Sequence, residues 1–396
     1  MKPIYLAPLE GVTDNIYRNT FLRYYGGVAK MFTPFLSPCS THKFTTRETE
    51  EIDPARNDVR IVVPQIIANS SEHFLWAAGE IIDRGFGEIN FNLGCPSGTV
   101  VPKKKGSGLL FFPDLLDRIL YDIFAALPSM CPPSTKSGVP DADTPGTDIP
   151  DSATPGTNIP GAYVPAAGTP ATGSAPGPDS SMPKISVKTR LGKEDPDEFY
   201  EILEIFNKYP ISEITVHPRI QKDFYKEPIR PEYVDFALEH SKAPIVFNGE
   251  IKSVDDIRRV EAEHPGLTAI MLGRGLITNP ELALHYRKIS ATPESTRSDI
   301  LNDAESLSRM SSGDTAPDGH GISDADRFRA FHDDLLAQYV ERLSGDKPVL
   351  HRMKEFWALW QEAFPGNATA LKQIRKAKSV AEYRSASSRI LCKPIS

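Results

Sequence analysis

Eight short apolar runs, each followed by a polar or amphipathic segment, recur through the first 290 residues of this 396-residue chain. No other feature restricts its fold so strongly. The runs are residues 2–8, 27–35, 60–67, 88–93, 184–190, 213–217, 243–248 and 268–273. Each is short for a helix and apolar through most of its length, as a strand buried on both faces must be. Most of the intervening segments carry helix signals. Thr13 or Asp14 can cap a helix reaching residue 25, and Pro113 can open another. Ser253 can cap a third, and proline stands early in the segments starting at 231 and 279. Residues 40–53 read as a polar connection. Parallel strands joined by helices either close into a (β/α)8 TIM barrel or stay open as a doubly wound sheet. The count of eight favours the barrel, as does the lack of a GxGxxG turn after the first run.

Two stretches break the alternation. Residues 128–182 contain TPGTDIPDSA followed at once by TPGTNIPGAY, and proline, glycine, threonine, serine and alanine dominate them. Such a composition buries too little apolar surface to offset chain entropy, so a disordered insertion is expected. Residues 291–323 read as a polar linker. From 324 to 396 the pattern is helical, with Met353, Phe356, Trp357, Trp360 and Phe364 spaced as a bundle core. The expected organisation is therefore a catalytic barrel over 1–290, interrupted by 128–182, a linker, and a helical domain over 324–396.

The net charge of -7 hides an uneven distribution. The insertion holds five acids and one lysine, and the linker six acids and two arginines. Residues 324–396 hold thirteen Lys and Arg against nine acids. A basic segment can meet a polyanion whatever the sign of the whole. Lys372, Arg375, Lys376 and Lys378 cluster there, either as a solvated face or as a phosphate-contacting one. The four cysteines form no CxxC pair, so neither a disulfide framework nor a metal site is expected, and a reducing cytoplasm is the expected compartment. No apolar run reaches the ~20 residues of a membrane helix, and residues 1–10 do not read as a signal peptide.

In a barrel, chemistry gathers where the strands end. Here the ends carry Pro8-Leu9-Glu10, Gln65, Asn92 with Cys95, Lys188 with Arg190, His217 with Arg219, Asn248-Gly249-Glu250, and Gly273-Arg274. Any one of these has a plain structural explanation; seven on one rim are harder to dismiss. The glycines and arginine after the last two strands suit a phosphate group. Lys188 could form a Schiff base or stabilise negative charge on a ring cofactor. Residues 90–110, NFNLGCPSGTVVPKKKGSGLL, leave a strand, expose the Cys95 thiol between Gly94 and Pro96, and continue as a glycine-broken loop with Lys103, Lys104 and Lys105. Such a loop suits an arm that carries a reactive group over a pocket and touches an anion.

The ordered set APLEGVTD, PQIIAN, NFNLGCP, VKTRLG, ITVHPRI, FNGEI and MLGRGLI resembles the tRNA-dihydrouridine synthase family, and the helical tail resembles that family's tRNA-binding domain in kind. The resemblance implies an FMN-dependent oxidoreductase, re-reduced by NADPH, that acts on uridine in tRNA; a monomer is the expected state. It places Pro8, Leu9, Glu10, Gln65, Lys188, His217, Asn248, Gly249, Glu250, Gly273 and Arg274 around FMN. It makes Cys95 the proton donor, as a thiol and not a thiolate. Asn92, Arg190 and Arg219 fall on the substrate side, joined by Lys103, Lys104 and Lys105 and by the basic cluster of the tail. A flavin barrel acting on a free dihydroorotate or enoate is the competing reading, and a non-catalytic RNA-binding barrel another.

Overall fold

The computed structural model describes residues 1–130, 183–291 and 324–392. The remainder of the expected insertion and the expected linker lie outside the described residues. Nine strands are all paired in parallel: β1 (Ile4–Leu6), β2 (Lys30–Phe32), β3 (Val62–Val63), β4 (Gln65–Ile66), β5 (Glu88–Leu93), β6 (Lys184–Gly192), β7 (Glu213–Ile220), β8 (Ile245–Asn248) and β9 (Ala269–Leu272). Their order is β3-β2-β1-β9-β8-β7-β6-β5-β4. The two ends of that order are one run of chain, divided at Pro64. Proline cannot donate to a ladder, so the third expected strand is split. Val62–Val63 pairs with β2, while Gln65–Ile66 pairs with β5, and Asn90 N donates to Pro64 O at 2.8 Å. The ladder thus returns to its start, and the sheet is a closed (β/α)8 barrel.

Most of the helices follow the expected starts. Asp14 caps α1 (Asn15–Tyr24) by accepting from Tyr17 N, and Ser253 caps α7 (Val254–Glu263) in a capping box. α3 (Ser71–Ile82), α5 (Glu198–Phe206) and α6 (Glu232–His240) fill further intervening segments, whereas α9 (Leu282–Ala291) starts after Pro280, later than the expected start at 279. α4 (Pro113–Met130) runs through Pro128 into the first residues of the expected insertion. Two short helices were not expected. α2 (Thr46–Glu51) sits in the polar connection, started by a Thr45–Glu48 capping box, and α8 (Arg274–Thr278) follows β9 directly. Both lack a run long enough for periodicity to show.

Inside the barrel, Tyr5, Ala7, Phe32, Val63, Val246, Ala269 and Met271 form a small packed core of their own. Below it Lys30 pairs with Glu88 at 2.8 Å and Glu213 at 3.3 Å. These close the end opposite the strand C-termini, which leaves the C-terminal rim as the open face.

The helical unit comprises α10 (Asp324–Arg342), α11 (Asp346–Trp360), α12 (Ala368–Lys376) and α13 (Val380–Leu391). It shares one buried cluster with the barrel's outer layer. Tyr17 stacks on Phe356 at 5.3 Å, and Tyr25 meets Phe331 edge-on at 5.1 Å. Tyr339 donates to Asp14 Oδ1 at 2.8 Å, and Trp360 Nε1 to Ile277 O at 3.0 Å. Arg352 bonds the carbonyl of Gly11, one residue beyond Glu10, so the unit borders the rim itself. Among the described residues no helix is long and apolar enough to cross a membrane.

Candidate active site

At the open rim, two adjoining cavities of about 330 and about 120 Å3 share Pro8, Leu9, Lys188, His217 and Tyr225 as walls. The larger is closed by Asn248, Gly249, Glu250, Gly273 and Arg274, and the smaller by Glu10, Gln65, Asn92, Cys95 and Arg190. Strand ends from around the barrel thus converge on one cleft.

Cys95 is held by a file of polar side chains that climbs from the N-terminal end of β5 to the rim. Ser186 Oγ donates to Glu88 at 2.7 Å and accepts from Asn90 Nδ2 at 3.0 Å. Asn90 Oδ1 accepts from Gln65 Nε2 at 2.8 Å, and Gln65 Oε1 from Asn92 Nδ2 at 2.7 Å. Asn92 Oδ1 then accepts the backbone N–H groups of Gly94 and Cys95, at 3.1 and 2.9 Å. The carbonyl of Cys95 accepts from Ser107 N and Oγ, at 3.1 and 2.9 Å. Gly106 lies against it at φ +56°, where an added Cβ would stand 2.8 Å from that carbonyl. Only glycine fits such an approach. The loop over 101–108 therefore packs back onto Cys95 as two short 3-10 turns. The thiol is half-buried, and this burial pushes its pKa up, with Glu10 adding to the effect against Arg190 and Lys188. It is a neutral SH near pH 7.

Lys188 lines both cavities and makes no hydrogen bond or ion pair among the described residues. Burial, aided by Arg190, pulls its pKa down to about 7. An ammonium placed without a counter-charge leaves a seat for an anionic or strongly polar ligand atom.

The two arginines read as substrate groups line the cavities, and each also directs donors onto the scaffold. Arg190 is 1% exposed and gives Nε to Gly94 O at 3.0 Å, Nη1 to Ile220 O at 2.8 Å and Nη2 to Phe224 O at 2.7 Å. It ties the Cys95 loop to the loop after β7. Arg219 gives Nε to Glu227 O at 2.5 Å and is ion-paired through Nη2 with Glu250. Its Nη1 lies 3.2 Å from His217 Nε2. Arginine cannot accept, so Nε2 of His217 is the acceptor and its proton sits on Nδ1. Burial, reinforced by Lys188 and the neighbouring arginines, drives the pKa of His217 well down and keeps the ring neutral. Glu10 and Glu250, placed beside the cofactor by the resemblance, carry ion pairs to Arg47 and Arg219.

At the phosphate-type end, Asn248 Nδ2 donates to Met271 O at 2.9 Å. The tightest backbone approach falls one residue later than Gly273 and Arg274. A Cβ at Gly275 would stand 1.9 Å from Ile251 O. Sequence reading missed Gly275, although the GRG triplet contains it. It also missed Tyr225, a wall of both cavities that lies between two guanidiniums, Arg190 at 5.2 Å and Arg274 at 5.1 Å. Tyr225 lies outside any strand, so no periodicity marks it.

The basic loop divides. Lys105 is half-buried and donates to Ser37 Oγ at 3.1 Å and Pro38 O at 3.3 Å. Lys104 covers the ring of Phe112 at 4.2 Å, and the ammonium of Lys103 has no partner among the described residues. Lys372, Arg375 and Lys376 are exposed on α12 and Lys378 just beyond it, outside the cleft. A third cavity, about 480 Å3, brings Glu281, His285 and Asp324 together, but Arg327 supplies positive charge there, 3.1 Å from Glu281 Oε1.

A closed parallel barrel whose charged, amide and thiol side chains meet at the strand C-termini has the plan of a barrel enzyme. The family model described as dihydrouridine synthase (Dus) matches residues 5–144 and 180–313, and the chain belongs to that family. A protein named tRNA-dihydrouridine(16) synthase from Pseudomonas putida is 28% identical over 286 residues, covering 71% of this chain and 72% of the relative. One of the same name from Vibrio vulnificus is 23% identical over 394 residues, covering 96% of each. Among solved structures, histamine dehydrogenase from Rhizobium sp. 4-9 aligns at a TM-score of 0.45 and 12% identity, over 72% of this chain and 45% of that one.

Proposed function

We propose that this chain reduces uridine in tRNA to 5,6-dihydrouridine with FMN held in the rim cleft, and that its target is the uridine at position 16. Family membership supports the reaction. The position follows the shared name of relatives such as those from Pseudomonas putida and Vibrio vulnificus. The observation that carries the reading is the joining of Cys95 and Lys188 in one cleft, a neutral thiol in the same cavity as a lysine that has no hydrogen-bond or ion-pair partner among the described residues.

The residues fit a flavin. Pro8 and Leu9 give an apolar wall, and Gln65 keeps one amide hydrogen and one lone pair beyond those in the polar file. Asn248, Gly249, Gly273 and Arg274 would hold the phosphate-bearing end, with Gly275 letting the backbone close in. Glu250 would act through Arg219, and neutral His217 would offer Nδ1–H as a donor. When bound, FMN supplies the hydride that C6 of uracil accepts, and NADPH renews it.

The chain's own work is on the proton and on placement. Hydride arrival at C6 leaves negative charge spread over C5 and the O4 carbonyl. The Cys95 SH delivers a proton to C5, and its raised pKa keeps that proton in place until then. Lys188 steadies negative charge in the cleft. Asn92 and Arg190 fix the loop that carries the thiol. A uridine inside folded RNA must be turned out to enter the cleft. Lys103 and the basic face of α12 would hold phosphates while that happens. The chain would work as a cytoplasmic monomer, with residues 1–290 as the catalytic part and 324–396 as the RNA grip.

The test is direct. Purified protein, FMN, NADPH and an unmodified tRNA transcript are combined, and the RNA is digested and mapped by mass. One uridine, at position 16, gains two hydrogens. No gain at any uridine contradicts the function, and a gain elsewhere contradicts the position.

A further inference from the structure

Beside the cleft, the backbone of Phe224 holds a conformation that only glycine adopts freely. Its φ is 49° and its ψ -103°, reached where a 3-10 turn over Gln221–Asp223 ends. Arg190 holds it there by donating to its carbonyl at 2.7 Å. The Phe224 ring is 44% exposed and meets no other ring or cation among the described residues. A glycine would serve the turn better, so the aromatic ring calls for a reason outside the fold.

The surroundings supply one. Phe111, 47% exposed, lies at the end of the Cys95 loop with the ammonium of Lys193 3.9 Å above its ring. The backbone of Lys193 accepts from Lys222 N at 3.4 Å, two residues before Phe224. The outer rim of the β5, β6 and β7 loops is therefore a strip of two neighbouring lysines with an aromatic residue at each end, in the order Phe111, Lys193, Lys222, Phe224. Glu194 bridges the two lysines at 3.6 and 3.3 Å, an exposed arrangement that opens at little cost. Exposed rings set beside cations on an open surface are the chemistry of unpaired nucleotides, whose bases stack on the rings while phosphates meet the ammoniums.

We infer that this strip binds the unpaired bases of tRNA flanking the uridine in the cleft, with Phe224 stacking against one of them. The inference rests on the tRNA reading above and extends it to a surface outside the cleft. Strain at Phe224 is then the cost of presenting a ring at the point where the RNA strand leaves the rim.

Full-length, flavin-loaded protein is titrated with an unmodified tRNA transcript at fixed salt, and its melting temperature is recorded in parallel. Phe224→Gly binds about 5-fold or more weakly, the scale of a lost base stack, yet melts at or above the wild-type temperature because the strain is gone. Phe224→Tyr binds as the wild type does. Phe111→Ala, at the far end of the strip, also weakens binding. Full affinity in Phe224→Gly or in Phe111→Ala overturns the strip. So does a joint loss of affinity and melting temperature in both Phe224→Gly and Phe224→Tyr, which would make the ring a structural part. A wild type that binds no tRNA overturns the functional reading along with the strip, so the two failures are told apart by the unmutated protein.

Discussion

Asn92 Oδ1 accepts the backbone N–H of Cys95 at 2.9 Å, while the other end of the same amide donates to Gln65 at 2.7 Å. A side chain on the last turn of a buried strand thus sets where the thiol-bearing loop departs. Each amide in the file from Asn90 to Asn92 uses both its oxygen and its nitrogen, which fixes every orientation. Asn92→Ala strands the Gln65 oxygen and frees the Cys95 loop. We expect a loss of roughly 1–3 kcal/mol in stability and a fall in turnover larger than the fall in tRNA affinity. Denaturant melts and steady-state kinetics on the same sample check both.

The two described cysteines nearest this rim differ in reactivity. Burial raises the pKa of Cys95, whereas hydrogen bonds from Thr41 lower that of exposed Cys39. Alkylation is carried by the thiolate. Near neutral pH, iodoacetamide therefore modifies Cys39 first, and Cys95 reaches its half-maximal rate only at a pH above the ordinary thiol range. Peptide mass mapping across a pH series gives both rates. A Cys95 that alkylates fastest at pH 7 would be a thiolate, unfit to hold a proton for C5.

Cys95→Ala removes the proton source and leaves the walls of the larger cavity intact. Flavin should stay bound, and dihydrouridine formation should fall by about 100-fold or more, the usual worth of a positioned acid. Flavin absorbance and product mapping on one preparation separate the two effects. Undiminished turnover would move the proton donor elsewhere.

Lys188 links ligand binding to pH. With a pKa of about 7 in the open cleft, it is charged below that value and neutral above it. An anionic or strongly polar partner favours the charged form and raises the pKa. Affinity is then flat below about pH 7 and declines as pH rises, by at most about tenfold per unit, until the pKa of the bound state is passed. Flavin titrations of the apoprotein should show this decline, and Lys188→Met should bind more weakly with no such slope.

The basic face of the helical unit is tested through salt. Lys372, Arg375, Lys376 and Lys378 are all exposed. Each phosphate that the protein ceases to neutralise lowers the dependence of log affinity on log salt by about 0.7–0.9. Replacing all four by alanine should weaken tRNA binding and flatten that slope by up to about 3, with the melting temperature unchanged. An unchanged slope would show that these residues form only a solvated face.

The barrel was legible because each strand is a compact apolar run, and a strand buried on both faces needs nothing else to be seen. Pro64 was visible as well, yet its effect was not: a missing N–H divides the run into two strands only where neighbours demand it on both sides. α2 was hidden because its six residues are polar, and its start depends on the Thr45–Glu48 box alone. At the rim, the sequence brought Cys95, Lys188 and Gln65 to one end of the barrel. It could not tell a donor aimed at a ligand from one aimed at a carbonyl. Arg190 and Arg219 look like substrate grips in one dimension; in three they line the cleft and also brace its loops. Tyr225 and Phe224 escaped notice because loops have no period, and their roles come from contacts with Arg190 far back in the chain.

The central claim is that a protonated Cys95, standing over the Lys188 cleft, saturates one uridine of tRNA. The most direct measurement is mass mapping of tRNA from cells lacking this protein, restored either with the wild type or with Cys95→Ala. The account predicts that dihydrouridine disappears from position 16, returns with the wild type and does not return with the variant. Dihydrouridine that persists unchanged in the deleted cells, or that Cys95→Ala restores in full, would contradict it.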